Sequence, residues 1–433
     1  MSFDLEIGLS QVLFPTSDGD MNFTSSKITK APKISMPFIT DAQVNGVFDT
    51  AADLSIGQTD GNVQGCLSVR ALNGGASADI SRRQPDDEVL LRNPSEGAGH
   101  QKLTHRTFLS NGWGANATLT GTFQKLVLAL MFGGDNIVRH ETIVISSTNS
   151  EDVPQTFNFL DSNLKANLLF FSTVGTSNGS GQTSFSPPSF GIAVRQPDGS
   201  FKQRNIVMRI DVDGAASGNP ASMINTDRIA SQILTSDTIQ WEAELTAIGT
   251  GDFELTPREG SAGGDQILVT GMEIINHNLG LEDFTLPTST GTYVNTDFGF
   301  KPFFVMNIHS MLTAFNALAV DSSAGVLGFS MFNDTEKFCY AISNEDDAPT
   351  INCDSIVHNR VMHIPFHNGT FGSGAGASNG IDSGTNNPIF TDLGYDIDLD
   401  IVNTTGRIGF GLGIGQNLTP ILRRRHEVNY QGV

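Results

Sequence analysis

One order of short hydrophobic segments runs three times through the 433-residue chain, and no other feature restricts its possible folds as much. The string P-T-S-x-G occurs at Pro15–Gly19 and again at Pro287–Gly291. After the first, Ala31-Pro32-Lys33 leads into an alternating run, Ile34–Ile39; after the second, Phe300-Lys301-Pro302 leads into FFVMNIH (303–309). A hydrophobic-glycine strand follows in each case, LSIGQTDG (54–61) and LGFSMFND (327–334), and then CLSVRALNG (66–74) and CYAISNEDD (339–347). The middle of the chain keeps this order without P-T-S-x-G. There FNFLDSNLKANLLFFSTVG (157–175) replaces the Pro-led strand, and SFGIAVRQPDG (189–199) and IVMRIDVDG (206–214) come next. All three copies close on two strands around a polar turn: ATLTGTFQKLVLALMFGG (117–134), FELTPREGSAGGDQILVTGMEI (253–274) and YDIDLDIVNTTGRIGFGLGIG (395–415).

The expected units are therefore modules over 7–143, 150–278 and 282–417, followed by a basic tail over 418–433. Their period is far longer than the roughly 20–50 residues of a solenoid repeat. Within each, short segments alternate with period two, bounded by Gly, Asn, Asp, Ser and Thr, so strands and turns are expected. SMINTDRIASQIL (222–234) is the one stretch whose pattern also fits a helix. The fold class read from these features is all-β: three tandem jelly-roll-like antiparallel β-sandwich modules with little helix. P-T-S-x-G reads as the turn that opens each outer module, since Pro fixes φ and Gly permits a tight turn. The copies differ most in length at 74–100, 214–225 and 366–388, and loops at one end of a rigid sandwich commonly carry binding.

Composition narrows the partners. The formal net charge is −21, which lacks the basic footprint that nucleic acid or an anionic membrane surface demands. The N-terminal MSFDLEIGLSQVLF has neither a positive start nor a long apolar core, so it is not expected to act as a signal peptide. No apolar run approaches the roughly 18 residues that span a bilayer, so membrane insertion is not expected. Three cysteines are too few for a disulfide framework; Cys339 and Cys353 either pair or sit as small buried hydrophobes on two packed strands.

Several of these segments together resemble a module of tailed-bacteriophage virion structural proteins. They are Phe298-Gly299-Phe300-Lys301-Pro302, Leu54-Ser55-Ile56-Gly57, Phe253-Glu254-Leu255-Thr256 and Leu126–Gly134. The middle copy departs from the pattern by lacking the Pro-Lys entry. What the resemblance implies is a virion location and a structural or appendage role.

Sequence signatures of catalysis are not found: there is no G-x-x-x-x-G-K-[ST], H-E-x-x-H, paired C-x-x-C or G-x-S-x-G. In RIGFGLGIG (407–415), glycines alternate with Phe410, Leu412 and Ile414, so a strand there has one glycine face and one hydrophobic face. That arrangement fits close approach of a sheet or aromatic ring; the competing reading is a phosphate loop. DIDLDI (396–401) sets Asp396, Asp398 and Asp400 on one side of a strand, either as a Ca²⁺ site completed by loop oxygens or as a solvated face that deters edge pairing. His358, His363 and His367, with Cys353 and Asp354 nearby, form either a transition-metal site or an ordinary polar surface. Arg423, Arg424 and Arg425 make the densest basic cluster, suited to docking on an acidic neighbouring subunit or to lying free in solvent.

The functional expectation is a non-enzymatic virion protein without a cofactor: an exposed decoration, head-fibre or tail-associated host-recognition component. Its expected partners are other virion proteins, further copies of itself as a homo-oligomer, and a host-surface glycan. The rival readings are a polysaccharide-degrading tailspike, whose convergent carboxylates spacing alone does not reveal, and a secreted carbohydrate-binding module.

Overall fold

The computed structural model describes residues 4–47, 49, 51–72, 80–92, 101–119, 124–146, 150–175, 188–196, 198–210, 219–260, 264–320, 325–344, 353–364, 381–383 and 386–417. Among these residues there is no helix, and every paired strand runs antiparallel to its neighbours.

The first unit comprises β1 (Glu6–Leu13), β2 (Gly19–Thr24), β3 (Ile34–Thr40), β4 (Ala51–Thr59), β5 (Gln64–Leu72), β6 (Ile80–Arg83), β7 (Leu90–Arg92), β8 (Gln101–Leu109), β9 (Gly112–Leu119) and β10 (Leu126–Gly133). A six-stranded sheet has the order β1-β10-β3-β4-β5-β6, and a four-stranded sheet, β2-β9-β8-β7, packs on its outer face. The first three and last two strands wind between the sheets as in a jelly roll, whereas β3 to β6 form a meander.

The second unit repeats this order strand for strand. Its strands are β11 (Ile137–Ser146), β12 (Gln155–Asn158), β13 (Leu168–Thr173), β14 (Ser189–Arg195), β15 (Phe201–Arg209), β16 (Ala221–Asn225), β17 (Ala230–Ile233), β18 (Ile239–Ile248), β19 (Asp252–Glu259) and β20 (Gln266–Ile274). They form the sheets β11-β20-β13-β14-β15-β16 and β12-β19-β18-β17.

The third unit has β21 (His277–Thr285), β22 (Gly291–Asn295), β23 (Pro302–His309), β24 (Val326–Phe332), β25 (Lys337–Asn344), β26 (Cys353–His358), β27 (His363–Ile364), β28 (Ile381–Asp382), β29 (Ile389–Phe390), β30 (Tyr395–Leu399) and β31 (Ile408–Gln416). Its large sheet, β21-β31-β23-β24-β25-β26, matches the other two; its outer layer is the sheet β22-β30-β29 and the β27–β28 ribbon.

The three units do not merely follow one another. One hydrophobic core joins the inner faces of all three six-stranded sheets. Phe132 of β10 lies 6.0 Å from Phe170 of β13 and 6.3 Å from Phe304 of β23, centroid to centroid. Phe329 of β24 meets Phe38 of β3 at 5.6 Å and Phe190 of β14 at 5.5 Å. A separate core fills each sandwich; in the first, Val127, Ala129 and Met131 face Phe23 and Trp113, whose rings stack at 5.0 Å. The large sheets are thus covered on both sides, so LVLALMF (126–132) reads as an unbroken apolar run rather than an alternating one.

Each unit's first strand lies beside its last, and this moves the expected boundaries. Ile137–Ser146 pairs with Gln266–Ile274, so residues 137–143 belong with the second unit and not the first, and His277 begins the third. For the same reason P-T-S-x-G does not open a unit. It follows the first strand and carries the chain from the large sheet to β2 or β22. SMINTDRIASQIL is no helix but the ends of two sheets, β16 and β17, joined by a turn. Its side chains are buried from both directions, with Ile224 in the central core and Met223 in an outer cluster, so the period of two is erased.

Candidate functional site

The sequence-distant contacts that join the units concentrate at their seams. At the far end of the sheets, opposite the end where each unit begins, the segment 41–49 between β3 and β4 lies along the edge of β26. Asp49 and Ser355 exchange backbone hydrogen bonds of 2.9 Å in both directions, and Gly46 N–H donates to Val357 O at 2.7 Å. The corresponding segment of the third unit meets β16 in the same way: Ala319 and Ser222 exchange bonds of 3.0 Å, and Asn316 N–H donates to Ile224 O at 2.8 Å. Gly46 and Asn316 both take left-handed φ, 76° and 56°, which turns the segment onto its neighbour's edge. On the remaining seam, β13 of the second unit runs out beside β6 of the first. Arg82 Nη1 donates to Val174 O at 2.7 Å, and Val174 N–H donates to Gln84 Oε1 at 3.0 Å. The contacts run from the first unit to the third, the third to the second, and the second to the first. The ring is closed.

A buried charge cluster anchors the first of these clasps. Lys125, only 2 % exposed, donates from Nζ to Asp41 O and lies 2.9 Å from both Asp41 Oδ1 and Asp49 Oδ2. It therefore grips both ends of the 41–49 segment. Arg92 Nε donates to Asp41 Oδ1 at 2.7 Å and stands 3.2 Å from Asp53 Oδ2, without hydrogen-bond geometry in the latter contact. Burial pushes the Asp53 carboxyl up to about 7; Asp41 adds to the rise, while Arg92, Arg70 and Lys125 oppose it. In the third unit Arg407 stands just before the last strand as Lys125 does, and donates to Met311 O at the start of the equivalent segment. The second unit has Asp265 there, its carboxyl raised by burial and held down in part by Arg82 and a hydrogen bond from Trp241.

At the opposite end, each seam carries an acidic contact. Thr142 N–H of β11 donates to Asp60 Oδ2 at 2.8 Å. Leu9 N–H and Ser25 Oγ–H donate to Glu336 at 2.9 and 2.6 Å. Lys202 meets Glu282 at 2.6 Å, and Arg204 bonds Asp283 through two nitrogens at 2.5 and 2.8 Å. An open groove of about 510 Å³ runs along the seam of the first and third units, floored by Leu5, Ile7, Pro302, Phe303 and Phe390. The ion pair Lys27–Asp334, 2.6 Å, stands at its rim.

Asp396 and Asp398 lie at alternate positions of β30, and Asp400 directly follows its last residue. Asp398 accepts from Thr292 Oγ1 at 2.8 Å and Asn386 Nδ2 at 3.2 Å. No group of three His, Cys, Asp or Glu side chains among the described residues is placed to hold a metal. His358 packs against Gly46 and bonds Asn359 at 3.1 Å; His367 lies outside the described residues. Cys339 and Cys353 are both buried and are not joined by a disulfide; they stand on neighbouring strands but out of register, Cys339 facing His358 and Cys353 facing Asn344. The glycine face of β31 receives aromatic rings. A Cβ on Gly413 would sit 2.8 Å from Phe298, and one on Gly415 2.5 Å from Phe300, while Phe410, Leu412 and Ile414 enter the central core.

Arg423, Arg424 and Arg425 lie outside the described residues, as do residues 74–79, 93–100, 214–218, 366–380 and 384–385 of the variable segments 74–100, 214–225 and 366–388. Neither the clasps nor the Lys125 cluster was found from sequence, because their members are scattered and meet only when the ring closes. The paired positions of Lys125 and Arg407 before the closing strand were the available signal.

No protein-family model matches the chain, and no curated protein sequence matches it.

Proposed function

We propose that this chain is a non-enzymatic structural protein of a bacteriophage virion, an exposed decoration, head-fibre or tail-associated host-recognition component. The observation that carries the reading is the single core shared by three closed sandwiches. Fusing three units around one core gives a rigid body whose strand connections emerge at fixed places, a scaffold suited to presentation rather than to opening and closing around a substrate. The acidic surface and the module's resemblance to virion components support the same role. The inward faces are used up within one chain, so further copies in a homo-oligomer, other virion proteins and a host-surface glycan meet its outer faces or its ends. Immunoelectron microscopy of purified particles with an antibody to this chain tests the proposal. Labelling of intact particles is expected, and absence of the chain from them overturns it. A glycan-hydrolysis assay tests the non-enzymatic part: turnover lost on substitution of a carboxylate contradicts it.

A further inference from the structure

Beside the seam of the third and second units lies another cavity, of about 370 Å³, with aromatic walls and acidic side chains. Phe284, Tyr293 and Phe315 line it together with Asp283, Asp297 and Thr285, and none of the described residues that line it is basic. Each wall is fixed by a contact of the fold. Phe315 belongs to the clasp, next to Asn316, whose N–H donates to Ile224 O and whose side chain bonds Thr226 twice at 2.8 Å. Asp283 is held by two nitrogens of Arg204 from β15. Phe284 packs over the glycine face of β31, where a Cβ on Gly409 would collide with its ring. Tyr293 stands on β22 opposite Ile397, and Asp297 follows that strand, its N–H donating to Asn295 Oδ1 at 3.3 Å. A site held in this way is formed before a ligand arrives, which spares much of the ordering cost of binding.

The first unit has the same architecture without this chemistry. Counted from P-T-S-x-G, Gln11, Val12 and Met21 stand where Asp283, Phe284 and Tyr293 do, and Asn45 precedes Gly46 as Phe315 precedes Asn316. There Asn45 Nδ2 donates to Gln11 Oε1 at 2.8 Å, and Gln11 Nε2 donates to Tyr340 Oη at 3.2 Å. Two amide side chains bond each other at positions that in the third unit carry a ring and a carboxylate lining a cavity. The fold therefore does not require the three rings.

We propose that this cavity binds a methylated ammonium group, of the trimethylammonium kind. The proposal goes beyond the virion reading and does not depend on it. Arg204 already balances Asp283, so the exposed Asp297 is the carboxylate left to meet a charge on the ligand. Aromatic faces attract a cation through their quadrupole and at the same time accept its methyl groups. A methylated ammonium has no N–H to satisfy once it leaves water, whereas a primary ammonium would bury donors against rings that offer no strong acceptor. Burial pushes the Tyr293 phenol up to about 12, against a drop from its hydrogen bond with Asn295, and Asp297 adds to the rise. The ring is thus neutral at ordinary pH and lies within the field of that carboxylate. A metal ion is not served, since no group of three His, Cys, Asp or Glu among the described residues is placed to hold one. The groove at the other seam makes the contrast: it is lined by Lys27 and Lys301 as well as Glu6 and Asp334, and so does not favour one sign of charge.

The test is isothermal titration calorimetry of the full chain with choline chloride as the probe and the neutral tert-butyl analogue of choline as an uncharged copy of its shape. Saturable binding of choline at one site is expected, with the analogue bound about tenfold more weakly. Tyr293→Leu and Asp297→Asn are each expected to weaken choline about fivefold, the size of one cation–π or surface charge contact. Melting curves matching the wild type establish that the variants fold, and Asp297, being exposed, keeps the test open should Tyr293→Leu not fold. Flotation with phosphatidylcholine vesicles separates the sources of the group. Capture that free choline competes away supports the proposal with a lipid headgroup as the source, and choline binding without capture supports it with a soluble or polymer-borne one. No saturable choline binding, equal binding of the neutral analogue, or binding unchanged in both variants overturns the proposal. So does tighter binding of methyl glucoside, which would make the cavity a sugar site.

Discussion

Asp49 and Ser355, from the first and third units, exchange a reciprocal pair of backbone hydrogen bonds at 2.9 Å, as partners in a sheet do. The same two bonds recur between Ala319 and Ser222 at the next seam. A contact repeated in register at two seams belongs to the architecture and not to local accident, and it makes the seams a set of places where the account can be tested.

Gly46 should be intolerant of a side chain. Its φ of 76° is costly for other residues, and an added Cβ would stand 3.0 Å from the His358 ring. Gly46→Ala is expected to destabilise the protein by about 1–2 kcal/mol, the usual cost of a left-handed residue with a Cβ. Equilibrium denaturation in urea measures it; an unchanged midpoint would show that the clasp adds nothing to stability.

Lys125 is expected to tolerate Arg far better than Met. Lys125→Met removes one of the two cations that hold the buried Asp41 carboxylate, leaving Arg92, and loosens Asp49, and breaking a buried ion pair typically costs about 3–5 kcal/mol. Lys125→Arg retains a donor for Asp41 O, as Arg407 does for Met311 O. Thermal melts of the two variants side by side check the ordering, and equal losses would contradict it.

Asp53 gives stability a defined pH dependence. Its carboxyl keeps its proton up to about 7 in the fold, against 3.8 for the ordinary group. Between those values the folded chain binds more protons than the unfolded one, so this residue's contribution falls as pH rises from about 4 to about 7 and is level above. Each unit of pH in that window is worth at most about 1.4 kcal/mol. Asp53→Asn should flatten this part of the stability profile; a parallel slope in wild type and variant would refute the assignment.

Much of the fold was legible in the sequence because it is written in order. The correspondence of LSIGQTDG, SFGIAVRQPDG and LGFSMFND is the correspondence of β4, β14 and β24, and the three closing segments cover the end of β9 with β10, nearly all of β19–β20, and nearly all of β30–β31. The first strands escaped notice. EIGLSQVL, IVRHETIVIS and HNLGLEDFT are edge strands with mixed burial and share little pattern. What lies across the core was not readable at all. Phe38, Phe190 and Phe329 are each an ordinary inward residue of a strand, and nothing in their local sequence says that they meet one another. The charge cluster stayed hidden for the same reason, since Asp41, Asp53, Arg92 and Lys125 belong to four separate segments.

The shared core is the claim on which the rest depends, and differential scanning calorimetry of Phe329→Ala beside the wild type tests it most directly. Phe329 touches rings from both other units, so truncation should cost about 3–5 kcal/mol. One cooperative transition is expected in each protein, shifted as a whole to lower temperature in the variant. Three separable transitions, with the substitution moving only the one that belongs to the third unit, would contradict a common core.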